Sequence, residues 1–185
     1  MMRGAAGAAV ILAFAAATAA VAGPPENPDS AIMQDFAARV ADYQKLRKDL
    51  ESGLRRLKST PSQEEIAHHE RELALAIREA RRTARPGDMF TPPIAAEFRR
   101  LIGIAMQGRN AARVHESLGS AEPVQLRLRV NDAYPAGIPL QSTPPTLLEN
   151  LPPLPPELEY HLVAHELILL DVKANLVVDM VANVI

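Results

Sequence analysis

Residues 158–180 read LEYHLVAHELILLDVKANLVVDM, and this stretch decides the fold. Apolar side chains occupy alternate positions in three short runs, which is the period of a strand with one buried face. These side chains are Leu158, Tyr160 and Leu162, then Leu167 and Leu169, then Leu176, Val178 and Met180. We therefore predict three strands, with turns at 164–165 and at 172–174.

One alternative exists for the end of this stretch. Residues 171–182 also fit a helix that begins at Asp171, because Val172, Leu176 and Met180 recur at helical spacing. The Val and Ile content favours a strand instead. A fourth strand is expected at 124–130, where Val and Leu alternate with Gln and Arg over seven residues. The prediction is a small antiparallel sheet.

A long amphipathic helix is predicted upstream of the sheet. It begins after Asn27, with Pro28 at the first helical position. Its apolar residues are spaced by three or four positions and form one continuous stripe as far as Leu57. The stripe consists of Ile32, Phe36, Val40, Tyr43, Leu46, Leu50, Leu54 and Leu57.

Two further helices are predicted to follow. Thr60 and Pro61 mark the start of the second helix, which should end near Pro86 because proline disfavours the helical conformation of the residue before it. A third helix begins at Pro92, with a kink or break expected at Gly108 and Gly119 as its expected end. The short connection between the first two helices predicts an antiparallel helical hairpin.

Proline is concentrated between the helices and the final strands. Residues 135–156 hold eight prolines, so neither a long helix nor a central strand is expected there. One helical turn is expected at 146–150. The predicted fold class is α+β, in one domain that follows a leader. The divisions are a signal peptide at 1–22, a helical region at 23–119, and a Pro-rich linker with a small sheet at 120–185.

The first 22 residues have the form of a secretory signal peptide. Residues 1–3 are positively charged, residues 4–21 are uncharged and apolar, and residues 20–22 read Ala-Val-Ala, which suits signal peptidase. The alternative is an uncleaved membrane helix, since about 20 apolar residues can span a bilayer. The Ala-rich composition and the following Pro24 favour cleavage. We predict an exported protein, periplasmic or secreted, without a transmembrane segment after cleavage.

Composition excludes several classes of site. The chain has 185 residues and no Cys, so disulfides, thiolate metal sites, Fe–S clusters and cysteine nucleophiles are excluded. Residues 39–113 carry 16 Lys and Arg against 10 Asp and Glu, whereas residues 116–185 carry 3 against 9. These oppositely charged halves are expected to attract each other; the alternative is a basic surface that meets an anionic partner. Nucleic acid is not an expected partner of a chain with net charge −2.

The final stretch resembles the C-terminal three-strand meander of the periplasmic nickel/cobalt-homeostasis (RcnB-like) family. The shared features are an aromatic first strand, a hydrophobic second strand ending near Asp, and a hydrophobic third strand, here at 158–163, 167–171 and 176–179. That family usually has Gly at the first turn, where this chain has Ala164. The whole chain is similar to uncharacterised exported bacterial proteins with a helical front and a Pro-rich middle. The resemblance implies an envelope location and carries over no functional residue.

Histidines supply the candidate metal ligands. His161 and His165 are four residues apart, with Glu166 adjacent. On a helix the two rings would share a face and could ligate one metal ion. On a strand they would lie about 13 Å apart by rise alone, so the predicted sheet favours ordinary surface or turn histidines. Glu65 and His69, with a group from another helix, would form a different site, although a solvated helix face is the preferred interpretation.

Two other groups of polar residues stand out. Four cations form a basic end to the second helix and suit its dipole, or else bind an anionic polymer, a lipid head group or a partner. They are Arg78, Arg81, Arg82 and Arg85. Asp88, Asp132 and Tyr134 lie in two polar loops and could line a shared cleft, with turn and capping roles as the alternative. No catalytic residue is predicted, because no nucleophile-elbow, P-loop or dinucleotide motif is present.

These observations predict an exported, non-catalytic envelope protein with a binding, scaffolding or stress-related role and no cofactor. Its expected partner is an envelope protein, an anionic envelope component, or a second copy docked on the helix stripes. The alternative is a periplasmic metal-handling protein in which His161 and His165 bind a divalent transition metal. An envelope hydrolase is the third hypothesis.

Overall fold

In the part of the chain that the structure describes, helices precede a three-stranded antiparallel sheet, which confirms the α+β prediction. The structure, a computed structural model, describes residues 28–55, 62–107, 111–112, 116, 126–135, 138, 140 and 143–185. The helices are α1 (Pro28–Gly53), α2 (Gln63–Ala80), α3 (Pro92–Gln107) and a single turn, α4 (Pro145–Leu148). The strands are β1 (Leu158–Val163), β2 (Glu166–Asp171) and β3 (Leu176–Val181). The predicted leader, the kink or break predicted at Gly108 and the predicted helix end at Gly119 lie outside the described residues.

α1 and α2 form the predicted antiparallel hairpin. Glu51, near the end of α1, lies 3.9 Å from His69 near the start of α2. Tyr43, two turns earlier in α1, carries the guanidinium of Arg81 over its ring, 5.3 Å from the centroid, where α2 ends. None of the helices in the described ranges combines the length and the apolar content that a membrane crossing needs.

The helix boundaries differ from those predicted. α1 ends at Gly53, a residue that is a poor helix former, so the helix is one turn shorter than the stripe to Leu57 predicts. α2 begins two residues later than predicted, because Ser62 is its N-cap and its hydroxyl accepts the backbone N–H of Glu65 at 3.3 Å. α2 ends at Ala80, before the predicted boundary, and a turn follows it.

The strands form the predicted meander in the order β1-β2-β3. Val163 pairs with Glu166 across the first turn, and Asp171 pairs with Leu176 across the second. Leu176 begins the strand β3, so the alternative prediction of a helix over 171–182 is wrong. Val and Leu side chains on both faces of this strand are buried, which is the environment that favours β structure for them.

β3 contains a bulge at Val178. Asp179 pairs with Leu169 and Val177 pairs with Leu170, which leaves Val178 as an extra residue without a partner on β2. A bulge interrupts the alternation of side chains and re-aims the residue beside it. Here it lets Val178 pack in the main core while the adjacent Asp179 also reaches the helical side.

Both faces of the sheet are covered. The main core lies between the helices and one face, and its largest members include Phe36, Leu73, Ile77, Phe98, Ile102, Leu167, Leu169 and Leu176. A second core lies on the opposite face beneath the segment that precedes the Pro-rich region, and it contains Tyr134, Val163, Ile168, Leu170 and Val177. The result is a sheet with helices on one side and an irregular segment on the other.

The predicted fourth strand is wrong for its described part, residues 126–130, which form no strand. The chain meets β3 slightly later, where Ala133 bridges Leu176. The two residues before Ala133 exchange backbone hydrogen bonds of 2.8 and 2.9 Å with Val177. Alternation of apolar residues indicates that one side of a segment is buried. An unpaired segment that covers the second core has the same one-sided burial, so the pattern does not require a strand.

The first turn of the meander yields a stability prediction. Ala164 has φ +54°, which costs an L-residue about 1–2 kcal/mol, whereas glycine adopts it freely. Replacing Ala164 by glycine would remove this cost. Part of the resulting gain in stability is offset by the greater freedom of glycine in the unfolded chain, about 0.4–1 kcal/mol. We expect Ala164→Gly to raise the free energy of unfolding by about 0.5–1 kcal/mol, measured by urea titration.

Ala174 in the second turn supplies the matched control. It is buried and its backbone N–H donates to Asp171, so Ala174→Gly should lower stability. An Ala164→Gly protein no more stable than the parent would contradict the strain argument.

Candidate functional site

A groove of about 440 Å³ lies at the outer edge of β1, and we name it the edge groove. One wall is the strand, and the other is α4 with the prolines that follow it. Its lining residues are Thr143, Leu148, Pro153, Leu154, Leu158, Glu159, Tyr160 and His161. The lining is mostly apolar, and the charged and imidazole groups lie at residues 159 and 161.

The Pro-rich segment covers parts of the exposed edge of β1. Leu158 donates its backbone N–H to Pro155 O at 2.9 Å, and Leu162 donates its own to Thr143 Oγ1 at 3.0 Å. Antiparallel strands alternate inward and outward backbone pairs, so Tyr160, between these two, also directs its N–H and C=O outward. The edge groove therefore includes two strand positions, Leu158 and Tyr160, whose backbone groups face away from β2.

His161 forms the polar part of the edge groove with Glu159. The Nε2 to Oε2 distance is 2.9 Å, and Nε2–H is the donor because a carboxylate only accepts. Nδ1 is buried and has no hydrogen-bond partner in the described ranges. His165 lies in the exposed first turn, beyond the end of β1. Among the residues that the structure describes, no three His, Asp or Glu come together as a possible metal site.

A second concavity, of about 340 Å³, lies within the helical hairpin, and we name it the hairpin cavity. The end of α1, the first turns of α2 and the turn between β2 and β3 enclose it. Its lining residues are Glu51, Ile66, His69, Glu70, Leu73 and Lys173. Sequence reasoning paired His69 with Glu65 and a group from another helix. The structure places Glu51 beside His69, whereas Glu65 is exposed and does not line the cavity.

The basic end of α2 is divided between internal contacts and solvent. Arg78 donates to Asn131 O at 2.9 Å, and Arg81 donates to Val178 O at 3.0 Å. Burial lowers the pKa of Arg81 from its ordinary value. Arg82 and Arg85 are exposed. Two of the four predicted anion-binding cations therefore hold the segment near residue 131 and the β3 bulge against the helices.

The three predicted cleft residues have local partners. Asp88 Oδ2 accepts the backbone N–H of Arg85 at 3.0 Å, and Asp132 Oδ2 accepts that of Arg129 at 2.9 Å. Each carboxylate thus closes its own turn. Tyr134 is buried in the second core, and burial raises the pKa of its hydroxyl. Neither the edge groove nor the hairpin cavity is lined by any of the three.

Two carboxylates on the sheet are fully buried, and sequence reasoning missed their burial. Asp171 is fully buried and accepts hydrogen bonds from Tyr43 Oη at 2.9 Å and from Arg47 Nε at 2.8 Å. Burial raises the pKa of Tyr43, with the charge of Asp171 as a further cause, so the phenol remains a donor. Arg47 also donates from Nη1 to Glu51 at 2.8 Å. This ionic chain joins α1 to the end of β2.

Asp179 is equally buried, and its donors among the described residues are backbone N–H groups. Its carboxylate takes the N–H groups of Gly87, Met89 and Phe90, at 2.8 to 3.2 Å, and that of the next residue at 2.8 Å. A loop whose amides converge in this way is an anion-binding arrangement, and here the anion is a side chain of the same chain. The sequence signal that could have identified Asp179 was an acidic residue inside an otherwise apolar strand.

Comparison with known proteins adds no assignment to this geometry. The resemblance to the nickel/cobalt-homeostasis family stays a prediction, and so does the envelope location that it implies. No protein-family model, curated protein or solved structure matches the chain, so the interpretation of both concavities rests on the chain's own residues.

Proposed function

We propose that the chain is an exported, non-catalytic binding protein of the cell envelope, and that its edge groove holds an extended segment of a partner protein. The observation that carries this proposal is an outward-facing strand position beside an apolar groove of about 440 Å³. The leader-like residues 1–22 support export.

The distribution of charge supports binding rather than catalysis. Arg47, Asp171 and Asp179 are buried, and each of them ties a helix or loop to the sheet through the contacts described above. Groups used in this way are not available to a substrate. The edge groove instead offers apolar surface, backbone hydrogen-bonding groups and one polar pair, which is the usual composition of a binding site.

An extended polypeptide is the occupant that suits this edge. Peptides that add to a sheet edge gain backbone hydrogen bonds, and pockets for alternate side chains give specificity. Because the backbone N–H groups of Leu158 and Leu162 already donate to the Pro-rich segment, Tyr160 is the position at which the partner would accept a backbone N–H. Leu148, Pro153 and Leu154 would contact its side chains, and the His161–Glu159 pair would contact a polar group.

Site-specific photo-crosslinking tests the proposal. A photoreactive residue at Pro153, which is exposed in the edge groove, should give a discrete adduct with one envelope protein, joined through one contiguous segment. The same residue at Leu75, exposed on α2, is the matched control and should not give that adduct. The intact mass of the protein from the periplasmic fraction should correspond to cleavage after Ala22.

A binding measurement completes the test. A synthetic peptide of the crosslinked segment should bind the purified protein with 1:1 stoichiometry. Pro153→Glu, which places a charge in the groove, should weaken binding at least ten-fold without lowering Tm, whereas Leu75→Glu should leave it unchanged. Equal binding by both variants, or equal crosslinking from both positions, would rule out the edge groove as the binding site.

A further inference from the structure

We propose that the hairpin cavity binds a small zwitterion with an aliphatic side chain, such as an aliphatic α-amino acid. This site is separate from the edge groove. Three chemically different walls meet in this one cavity of about 340 Å³. That volume lies at the lower end of the range for small-molecule sites.

The first wall is apolar. Ile66 and Leu73 are seven residues apart on α2, so they lie on the same face of the helix. Leu73 is fully buried, while Ile66 keeps 37% of its surface exposed. A large aliphatic side chain that lines a cavity and retains accessible surface provides contact area for an apolar group of a ligand.

The second wall carries negative charge. Glu51 uses Oε2 to accept from Arg47, and its Oε1 lies 3.9 Å from His69 Nε2, which is too far for a hydrogen bond. Glu70 forms no ion pair with the residues that the structure describes. Arg47 is shared with the buried Asp171, so its single charge does not neutralise both of its carboxylate partners. This wall favours an ammonium group.

The third wall is Lys173, which follows Asp171 in the turn between β2 and β3. Its side chain is exposed and has no ion-pair partner in the described ranges. An ammonium group in this position attracts a carboxylate. It would also repel a simple amine, while Glu51 and Glu70 would repel a simple fatty acid. A zwitterion avoids both penalties, and its aliphatic side chain would contact Ile66 and Leu73.

Calorimetry with L-leucine as the probe tests this proposal on the purified protein. Leucine should bind with 1:1 stoichiometry and raise Tm. Leucinamide lacks the carboxylate, N-acetyl-leucine lacks the ammonium group, and glycine lacks the side chain. Each of these analogues should bind at least ten-fold more weakly than leucine.

Variants that remove one charge each show which side chain binds the carboxylate of leucine and which binds its ammonium group. Lys173→Met should remove the preference for leucine over leucinamide, and Glu70→Gln should reduce the preference for leucine over N-acetyl-leucine. Lys45→Met and Glu79→Gln change exposed residues that do not line the cavity, and they should bind as the parent does. Pro153→Glu should also retain leucine binding, which separates this site from the edge groove.

Two results would overturn the proposal. One is the absence of both heat and a Tm shift with leucine at millimolar concentration. The other is equal binding of leucine, its amide and its N-acetyl derivative, because the charged walls would then have no role.

Discussion

Asp179→Asn is expected to lower the free energy of unfolding by about 4 kcal/mol, because a buried acceptor of several backbone N–H groups becomes partly a donor. An amide keeps only one acceptor oxygen. Whichever way it is turned, its NH₂ group faces backbone N–H groups of the loop at 87–90 or of Met180. Each buried donor left without an acceptor costs about 1–3 kcal/mol.

Urea unfolding followed by far-ultraviolet circular dichroism measures this loss. Asp88→Asn is the matched control, since it makes the same chemical change in the same loop at an exposed carboxylate that accepts the backbone N–H of Arg85. The control should lose less than about 1 kcal/mol. Similar losses in both variants would show that the buried carboxylate does not organise the loop.

Arg47→Met is expected to cost about 3–4 kcal/mol, because it leaves the carboxylate of Asp171 buried without its ion pair. Tyr43 would remain as a side-chain donor to Asp171, but a neutral hydroxyl cannot balance the charge. Arg82→Met is the control, since the Arg82–Glu79 pair is exposed and lies where α2 ends. Exposed pairs of this kind contribute about 0.5 kcal/mol or less.

A double-mutant cycle shows whether the effect belongs to the pair. Asp171→Asn alone should also be destabilising. The protein with both Arg47→Met and Asp171→Asn should lose at least 1 kcal/mol less than the sum of the two single losses, because directly paired groups couple. Additive losses, measured in the same urea titrations, would contradict a direct contribution from the ion pair.

Local patterning was sufficient to predict the meander. The three alternating runs within 158–180 and the short turns between them define both the strands and their order, since adjacent antiparallel strands need only tight connections. The bulge at Val178 was not predictable, because one extra residue leaves nearly the same apolar pattern in the sequence. Its consequence is the position of Asp179, which therefore also escaped prediction.

The helix ends and the segment at 126–130 show a second limit of prediction from the sequence, which is that two structures can share one local pattern. Ser62 and Glu65 fit an S-x-x-E capping pattern, but a competing Thr-Pro signal lies two residues upstream. For 126–130, a strand and a covering segment produce the same alternation of buried side chains. Only tertiary contacts distinguish the two, and here they favour the second core.

The candidate sites were the least predictable part. His161 was identified from its spacing to His165, whereas the structure associates it with Glu159 and the edge groove. The hairpin cavity unites Glu51 with Lys173, which are distant in sequence. Opposite charges on the two halves of the chain did predict attraction between them, and the Arg47–Asp171 ion pair is one such contact.

The long separation between these partners has a consequence for synthesis. Tyr43 and Arg47 precede Asp171 by 128 and 124 residues. Translation proceeds at about 5–20 residues per second, so Tyr43 and Arg47 are synthesised roughly 6–25 s before Asp171. During that interval Arg47 lacks its buried counter-charge and the loop at 87–90 lacks its acceptor. The ion pair between α1 and β2 and the anchoring of the loop at 87–90 therefore form only after the meander has been made.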